Sequence, residues 1–224
     1  MPAYKIASFE SNHFPLLKKV AATKKPILIS SGTSKMNELY ESIAYLKSHG
    51  AKDIIIFKCT STYPATPQTT NLRTIPVFQS IFEDCVIGLS DHTMGIGAAV
   101  AAVALGARVI EKHFTLRRAD GGVDSDFSLE PQELKSLVVE TNRAFEALGT
   151  VQLSTQKSEE KSRQFRRSIY VSKNIKKGEL LSPSNTKVIR PGDGLAPKHY
   201  EEILGKTANT DLSKGSPMKW EYFL

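Results

Sequence analysis

The chain has 224 residues, 40% of them hydrophobic, enough for a real core and for one large or two smaller domains. Its net charge is +7, and residues 157–224 hold most of the excess, with 14 Lys and Arg against 8 Asp and Glu. No apolar run approaches the roughly 20 residues that span a bilayer, and the opening MPAYKIASFE lacks a signal-peptide pattern, so the protein is expected in the cytoplasm with no membrane partner. The basic third has no recognition-helix pattern and no aromatic stacking series, which argues against nucleic acid and for an anionic small substrate.

Residues 4–9 read as a strand with no preceding element to pair with, and residues 14–23 as a helix. Residues 26–32, PILISSG, form a strongly apolar strand. Ser34 and Glu38 bracket the start of a second helix, which carries Leu39, Ile43 and Leu46 at helical spacing and stops near Gly50. A third strand covers residues 53–61. The Pro- and Thr-rich TYPATPQTTN after it is a loop, and residues 72–82 return to helix.

Two further strands follow, CVIGLSDH and RVIEKH, separated by an alanine-rich helical segment that Gly106 ends. A β-α-β unit of this kind places its strands in parallel. Alternation puts Gly88, Ser90 and His92 on one face of the first strand, and Val109, Glu111 and His113 on one face of the second. Neighbouring strands lie about 4.8 Å apart, so two imidazoles facing the same way could share one metal ion at the carboxyl ends of the strands.

Five strands, each followed by a helix, predict a parallel α/β protein. Apolar runs such as PILIS and DIIIF suit strands covered on both faces. A closed barrel needs about eight strand-helix units, so five cannot close one. Cys59 and Cys85 show no metal or redox spacing and read as packed thiols.

The loop LRRADGGVDSDFSLEP follows the last strand and precedes a helix beginning at Glu130 and Pro131. It is too long for a simple connector and stands where such folds keep their chemistry. The barrel-like domain therefore covers residues 1–149, residues 150–164 form a polar linker, and residues 165–224 a small β-rich module with turns at KKGE and SKGS.

Taken in order, KIASFE, SSGTSKMNEL, KCTSTYP, GLSDHT, EKHFTL, GGVDSDFSLEP, FRRSIYVSKNIKKGE and IRPGDGL resemble the sialic acid synthase family, in its pseudaminic acid synthase branch. The resemblance spans essentially the whole chain. It implies a phosphoenolpyruvate-using (β/α)8 barrel, of which the last five units are present, followed by an antifreeze-like SAF domain. The implied reaction condenses phosphoenolpyruvate with 2,4-diacetamido-2,4,6-trideoxy-L-altrose, giving pseudaminic acid and phosphate. N-acetylmannosamine or a legionaminic precursor is the alternative acceptor, and a non-catalytic sugar-binding or oligomerisation remnant the alternative of another class.

The same resemblance assigns residues. His92 and His113 would hold Mn²⁺ or Mg²⁺, and Lys5, Ser8, Ser61 and Ser90 would contact phosphoenolpyruvate. Tyr63 and Asp124 would meet the sugar, and Arg190 would reach its acyl group in the other subunit of a swapped homodimer. Lys5, Asp124 and Arg190 are thus the implied catalytic residues. Family members begin with three more strand-helix units, which implies that this chain alone is weakly active or inactive.

Overall fold

The computed structural model describes residues 1–223, whose contacts fall into two units, Met1–Gly149 and a second starting at Thr150. In the first, five strands form one parallel sheet: β1 (Tyr4–Ile6), β2 (Ile27–Ser30), β3 (Ile54–Cys59), β4 (Val86–Asp91) and β5 (Val109–Lys112), in that spatial order. Crossovers run through α1 (Phe14–Ala21), α2 (Met36–Ser48), the single turn α3 (Pro67–Thr70) with α4 (Thr74–Ile81), and α5 (Gly97–Ala104); α6 (Pro131–Leu148) follows β5. The expected alternation is therefore present, with each strand two or three residues shorter in all than the run read for it.

Alternation along the strands sorts the two faces. Ile27, Ile29, Ile54, Ile56, Ile87 and Leu89 pack against Leu17, Leu39, Ile43, Leu46 and Ile75 of the helices to form the main core. Burying a side chain of this size contributes roughly 1.5–3 kcal/mol, so this layer fixes the register of the whole sheet. The opposite face presents Lys5, Phe57, Ser90 and Glu111. Within β4 and β5 the paired residues are Gly88 with Val109, Ser90 with Glu111, and Asp91 with Lys112.

A flat five-stranded sheet would hold its edge strands about 19 Å apart, from four spacings of about 4.8 Å. Yet Lys5 Nζ on β1 donates to both Glu111 carboxylate oxygens on β5 at 2.7 Å. The sheet is therefore curled into a half-barrel, with those side chains on its concave face.

The structure adds local detail to the sequence reading in two places. The N-cap of α2 is Lys35, whose amide is held by the Glu38 carboxylate at 2.7 Å. Ser34 instead shares a 2.8 Å hydrogen bond with Ser11, because its hydroxyl is one residue too early to reach the helix amides. The stretch read as a polar linker carries a 3-10 helix at Lys157–Phe165, all of it exposed. As expected, Gly106 ends α5, at φ +100°, a conformation glycine adopts without Cβ strain.

The second unit pairs β6 (Ser168–Val171) with β7 (Thr186–Ile189) in antiparallel register, with a short helix α7 (Tyr200–Ile203). Isolated bridges such as Ile175 with Leu212 tie its loops together. Ile169, Val171, Ile175, Leu181, Ile203, Leu212, Met218 and Phe223 make a small core of its own.

Candidate functional site

His92 and His113 each stand one residue past the carboxyl end of a strand, β4 and β5 respectively. Because the strands are adjacent and in parallel register, the two imidazoles face each other with ring centroids 5.2 Å apart. His92 Nδ1 lies 2.8 Å from the carbonyl oxygen of Thr60, which can only accept. That contact fixes the proton on Nδ1 and leaves the Nε2 lone pair free. Burial, with His92 nearby as the next cause, lowers the His113 pKa and so favours its neutral, ligating form.

An aromatic and carboxylate wall surrounds the pair. The Tyr63 ring lies 4.3 Å from His92 and 5.9 Å from His113, and Phe127 lies 5.0 Å from His113. Asp124 Oδ2 is 3.8 Å from His113 Nδ1, brought there by a backbone turn at φ +63°. Partial burial first, then the proximity of Cys59, Asp124 and Glu111, raises the Tyr63 pKa, keeping the phenol a donor at neutral pH. Among the described residues no group of three or more His, Cys, Asp and Glu side chains is arranged to hold a metal ion. The fit is thus to an ion held by two neutral imidazoles, with substrate or water oxygens completing the shell.

The concave face below carries the residues expected to bind phosphoenolpyruvate. Glu111 accepts from Lys5 and, at 2.7 Å, from the Ser90 hydroxyl, so two of the expected phosphoenolpyruvate contacts converge on one carboxylate. Lys5 Nζ also sits 5.1 Å from the centre of the Phe57 ring. Ser8 and Ser61 flank Gly32: a Cβ there would lie 2.1 Å from the Ser61 hydroxyl oxygen and 2.6 Å from that of Ser8. Cys59 Sγ is close to both, 3.6 Å from the Ser8 oxygen and 3.9 Å from the Ser61 oxygen. Without a Cβ, Gly32 leaves a recess that these two hydroxyls fill, at the carboxyl ends of β1, β2 and β3, the end at which parallel α/β folds bind ligands.

Seven of the predicted residues, Lys5, Ser8, Ser61, Tyr63, Ser90, His92 and His113, thus line the concave face or the strand ends above it, with Asp124 in the adjoining loop. Arg190 belongs to the second unit, one residue past β7, and is exposed. The sequence reading assigned no site role to Glu111 or Gly32. Glu111 was visible as an inward position on the His113 strand, whereas nothing local signals that Gly32 must be small.

Comparisons with known proteins converge on one family. Residues 1–153 match the NeuB family and residues 166–224 the SAF domain. A pseudaminic acid synthase of Campylobacter jejuni is 44% identical over 97% of this chain and 63% of its own length. An N,N'-diacetyllegionaminic acid synthase of the same organism is 42% identical over 94% of this chain and 64% of its own. The chain therefore spans about 63% of the length of the curated relatives it matches. Among solved structures, a spore coat polysaccharide biosynthesis protein of Bacillus subtilis superposes with TM-score 0.64 at 35% identity, covering 99% of this chain and 67% of that one. An N-acetylneuraminic acid synthetase of Leptospira borgpetersenii, crystallised with citrate, gives TM-score 0.68 at 35% identity over 72% of this chain and 56% of its own.

Proposed function

The chain belongs to the NeuB family, the sialic acid synthases, and is most like the pseudaminic acid synthases; on that premise we propose that it condenses phosphoenolpyruvate with 2,4-diacetamido-2,4,6-trideoxy-L-altrose, giving pseudaminic acid and phosphate. The observation that carries the reading is the imidazole pair of His92 and His113 at adjacent strand ends, directly above the Lys5, Ser90 and Glu111 cluster.

In this reading Lys5 and the hydroxyls of Ser8, Ser61 and Ser90 hold the phosphate and carboxylate of phosphoenolpyruvate, through charge-assisted hydrogen bonds. The methylene carbon of phosphoenolpyruvate attacks the aldehyde carbon of the open-chain sugar, forming the new C–C bond. The aldehyde oxygen takes a proton and becomes a hydroxyl. Water adds to the oxocarbenium centre left on the former enol carbon, and phosphate departs as the 2-keto group forms. Asp124 and Tyr63 orient the sugar's hydroxyls. His92 and His113 would hold a divalent ion such as Mn²⁺ or Mg²⁺, which when bound would supply Lewis-acid polarisation of the aldehyde and a template for water. Arg190, as a fixed guanidinium fork, binds the sugar's acyl group in the site of a second copy, which makes the working unit a swapped homodimer in the cytoplasm. No described helix is long and apolar enough to cross a membrane.

A second acceptor is favoured by one observation: a legionaminic acid synthase relative is 42% identical, within the 41% to 44% of the pseudaminic ones. The test is metal-dependent phosphate release and product mass, with phosphoenolpyruvate and each candidate sugar. It is run on the chain alone and with the amino-terminal third of a pseudaminic acid synthase added. Product at the mass of pseudaminic acid supports the proposal. Product only from the legionaminic precursor or N-acetylmannosamine reassigns the sugar, and no phosphate release in any arrangement contradicts the reading.

A further inference from the structure

The helix-covered face of the sheet, directly behind the two histidines, holds a buried ion pair. Lys112 Nζ lies 2.7 Å from Asp91 Oδ2, with side-chain exposures of 2% and 0%. Both groups have a second partner on the same residue. Asp91 Oδ1 accepts the Thr93 amide at 2.9 Å, and Lys112 Nζ also donates to the Thr93 carbonyl. Asp91 and Lys112 are partners in register and form the last pair of the β4–β5 ladder. His92 and His113 are the next residue on each strand and, by alternation, point to the opposite face.

Asp91 and Lys112 are the last ladder pair of the two strands, and the histidines stand one residue beyond it, where the backbone pairing of β4 with β5 has ended. The β5 strand is also an edge, with no neighbour on its other side among the described residues. Past the ladder, Leu129 donates to the His113 carbonyl at 2.9 Å, and the Ala65 amide to the His92 carbonyl at 3.0 Å. The first ties His113 to the loop that follows it and the second ties His92 to the loop after β3, and neither ties the histidines to each other. A buried ion pair adds little net stability over an apolar one of the same volume, so its placement here suggests a positional role.

We infer that Asp91 and Lys112 are positioning residues, which clamp the ends of β4 and β5 through Thr93 and so hold the His92 and His113 imidazoles at ligating separation. The inference rests on the metal reading of the pair proposed above, and the experiment separates the two. In the full chain, Asp91→Asn is combined with Lys112→Met, which removes both charges while the asparagine still accepts the Thr93 amide. A second variant, Asp91→Glu, keeps the charge balance and shifts the carboxylate by one methylene, in case the neutral pair does not fold. Circular dichroism establishes the fold of each.

Two quantities are then read. The first is Mn²⁺ affinity, from the electron paramagnetic resonance signal of free Mn²⁺. The second is the metal-free tautomer of His92, from histidine side-chain ¹⁵N shifts. Wild type is expected to show one tautomer, protonated on Nδ1 toward Thr60, and the variants a mixture, with Mn²⁺ affinity lower by about 10-fold to 100-fold, the usual cost of losing an outer support. A folded variant with an unchanged tautomer and unchanged Mn²⁺ affinity overturns the inference. If wild type itself binds no Mn²⁺, the metal reading fails, and the tautomer alone decides for or against the clamp.

Discussion

Lys5 and Glu111 stand on the two opposite edge strands of one sheet, 106 residues apart, and meet at 2.7 Å across its concave face. Their pairing answers why a lysine can occupy a strand of a covered sheet: the anion it needs is supplied by the fold, and that same carboxylate also holds Ser90.

Lys5→Met separates the binding role from the structural one. The pair is about a third exposed on each side, so its loss should cost under about 1 kcal/mol of folding stability. A charge-assisted contact to phosphoenolpyruvate is worth about 1.5–3 kcal/mol, which predicts affinity weakened roughly 10-fold to 150-fold. Calorimetric titration and a thermal melt measure both. A large loss of stability with phosphoenolpyruvate binding intact would assign Lys5 to structure alone.

Gly32→Ala tests the hydroxyl recess. The added methyl would sit 2.1 Å from the Ser61 oxygen and 2.6 Å from the Ser8 oxygen, so both hydroxyls must be pushed aside. Overpacking of this kind costs about 1–3 kcal/mol, and binding of inorganic phosphate or phosphoenolpyruvate should fall with it. Unaltered phosphate affinity in a folded variant would exclude the recess as the anion site.

Lys58 provides a pH prediction. It is 7% exposed, and its ammonium finds only neutral partners, the Cys59 carbonyl at 3.2 Å and the Thr60 hydroxyl at 2.6 Å. Burial lowers its pKa from the ordinary lysine value. With a depressed folded pKa the unfolded chain holds this proton more tightly, so stability is fullest above the unfolded value of about 10.4 and is lost as pH falls through the folded one. Lys58→Met should remove that slope and be neutral or stabilising by about 1 kcal/mol at pH 7. Urea unfolding of both proteins across alkaline pH reads the difference, and parallel curves would count against it.

Much of the site could be read along the chain because its signals are local. Two strands ending in histidine, with one helix between them, fix parallel direction, adjacency and facing from alternation alone, and the rings do lie 5.2 Å apart. The contacts between β1 and β5 were not legible, since they depend on how far five strands curl, a property summed over the sheet. The ion pair of Asp91 with Lys112 was hidden for a related reason. Each charge sits in an apolar strand, and only their common register, set by the ladder, shows that they neutralise each other. Ser34 and Glu38 do bracket the start of α2, but which residue caps it was not legible, because the Lys35 amide is held by the Glu38 side chain folding back onto it.

The most direct test of the account is Mn²⁺ binding to the chain and to a His92→Ala, His113→Ala double variant, measured by calorimetry beside circular dichroism. Wild type should bind Mn²⁺, with affinity falling at acid pH as the imidazoles take up protons, and the double variant should keep its fold and lose the binding. A folded double variant with unchanged affinity for Mn²⁺ would contradict the assignment of His92 and His113 as the metal site.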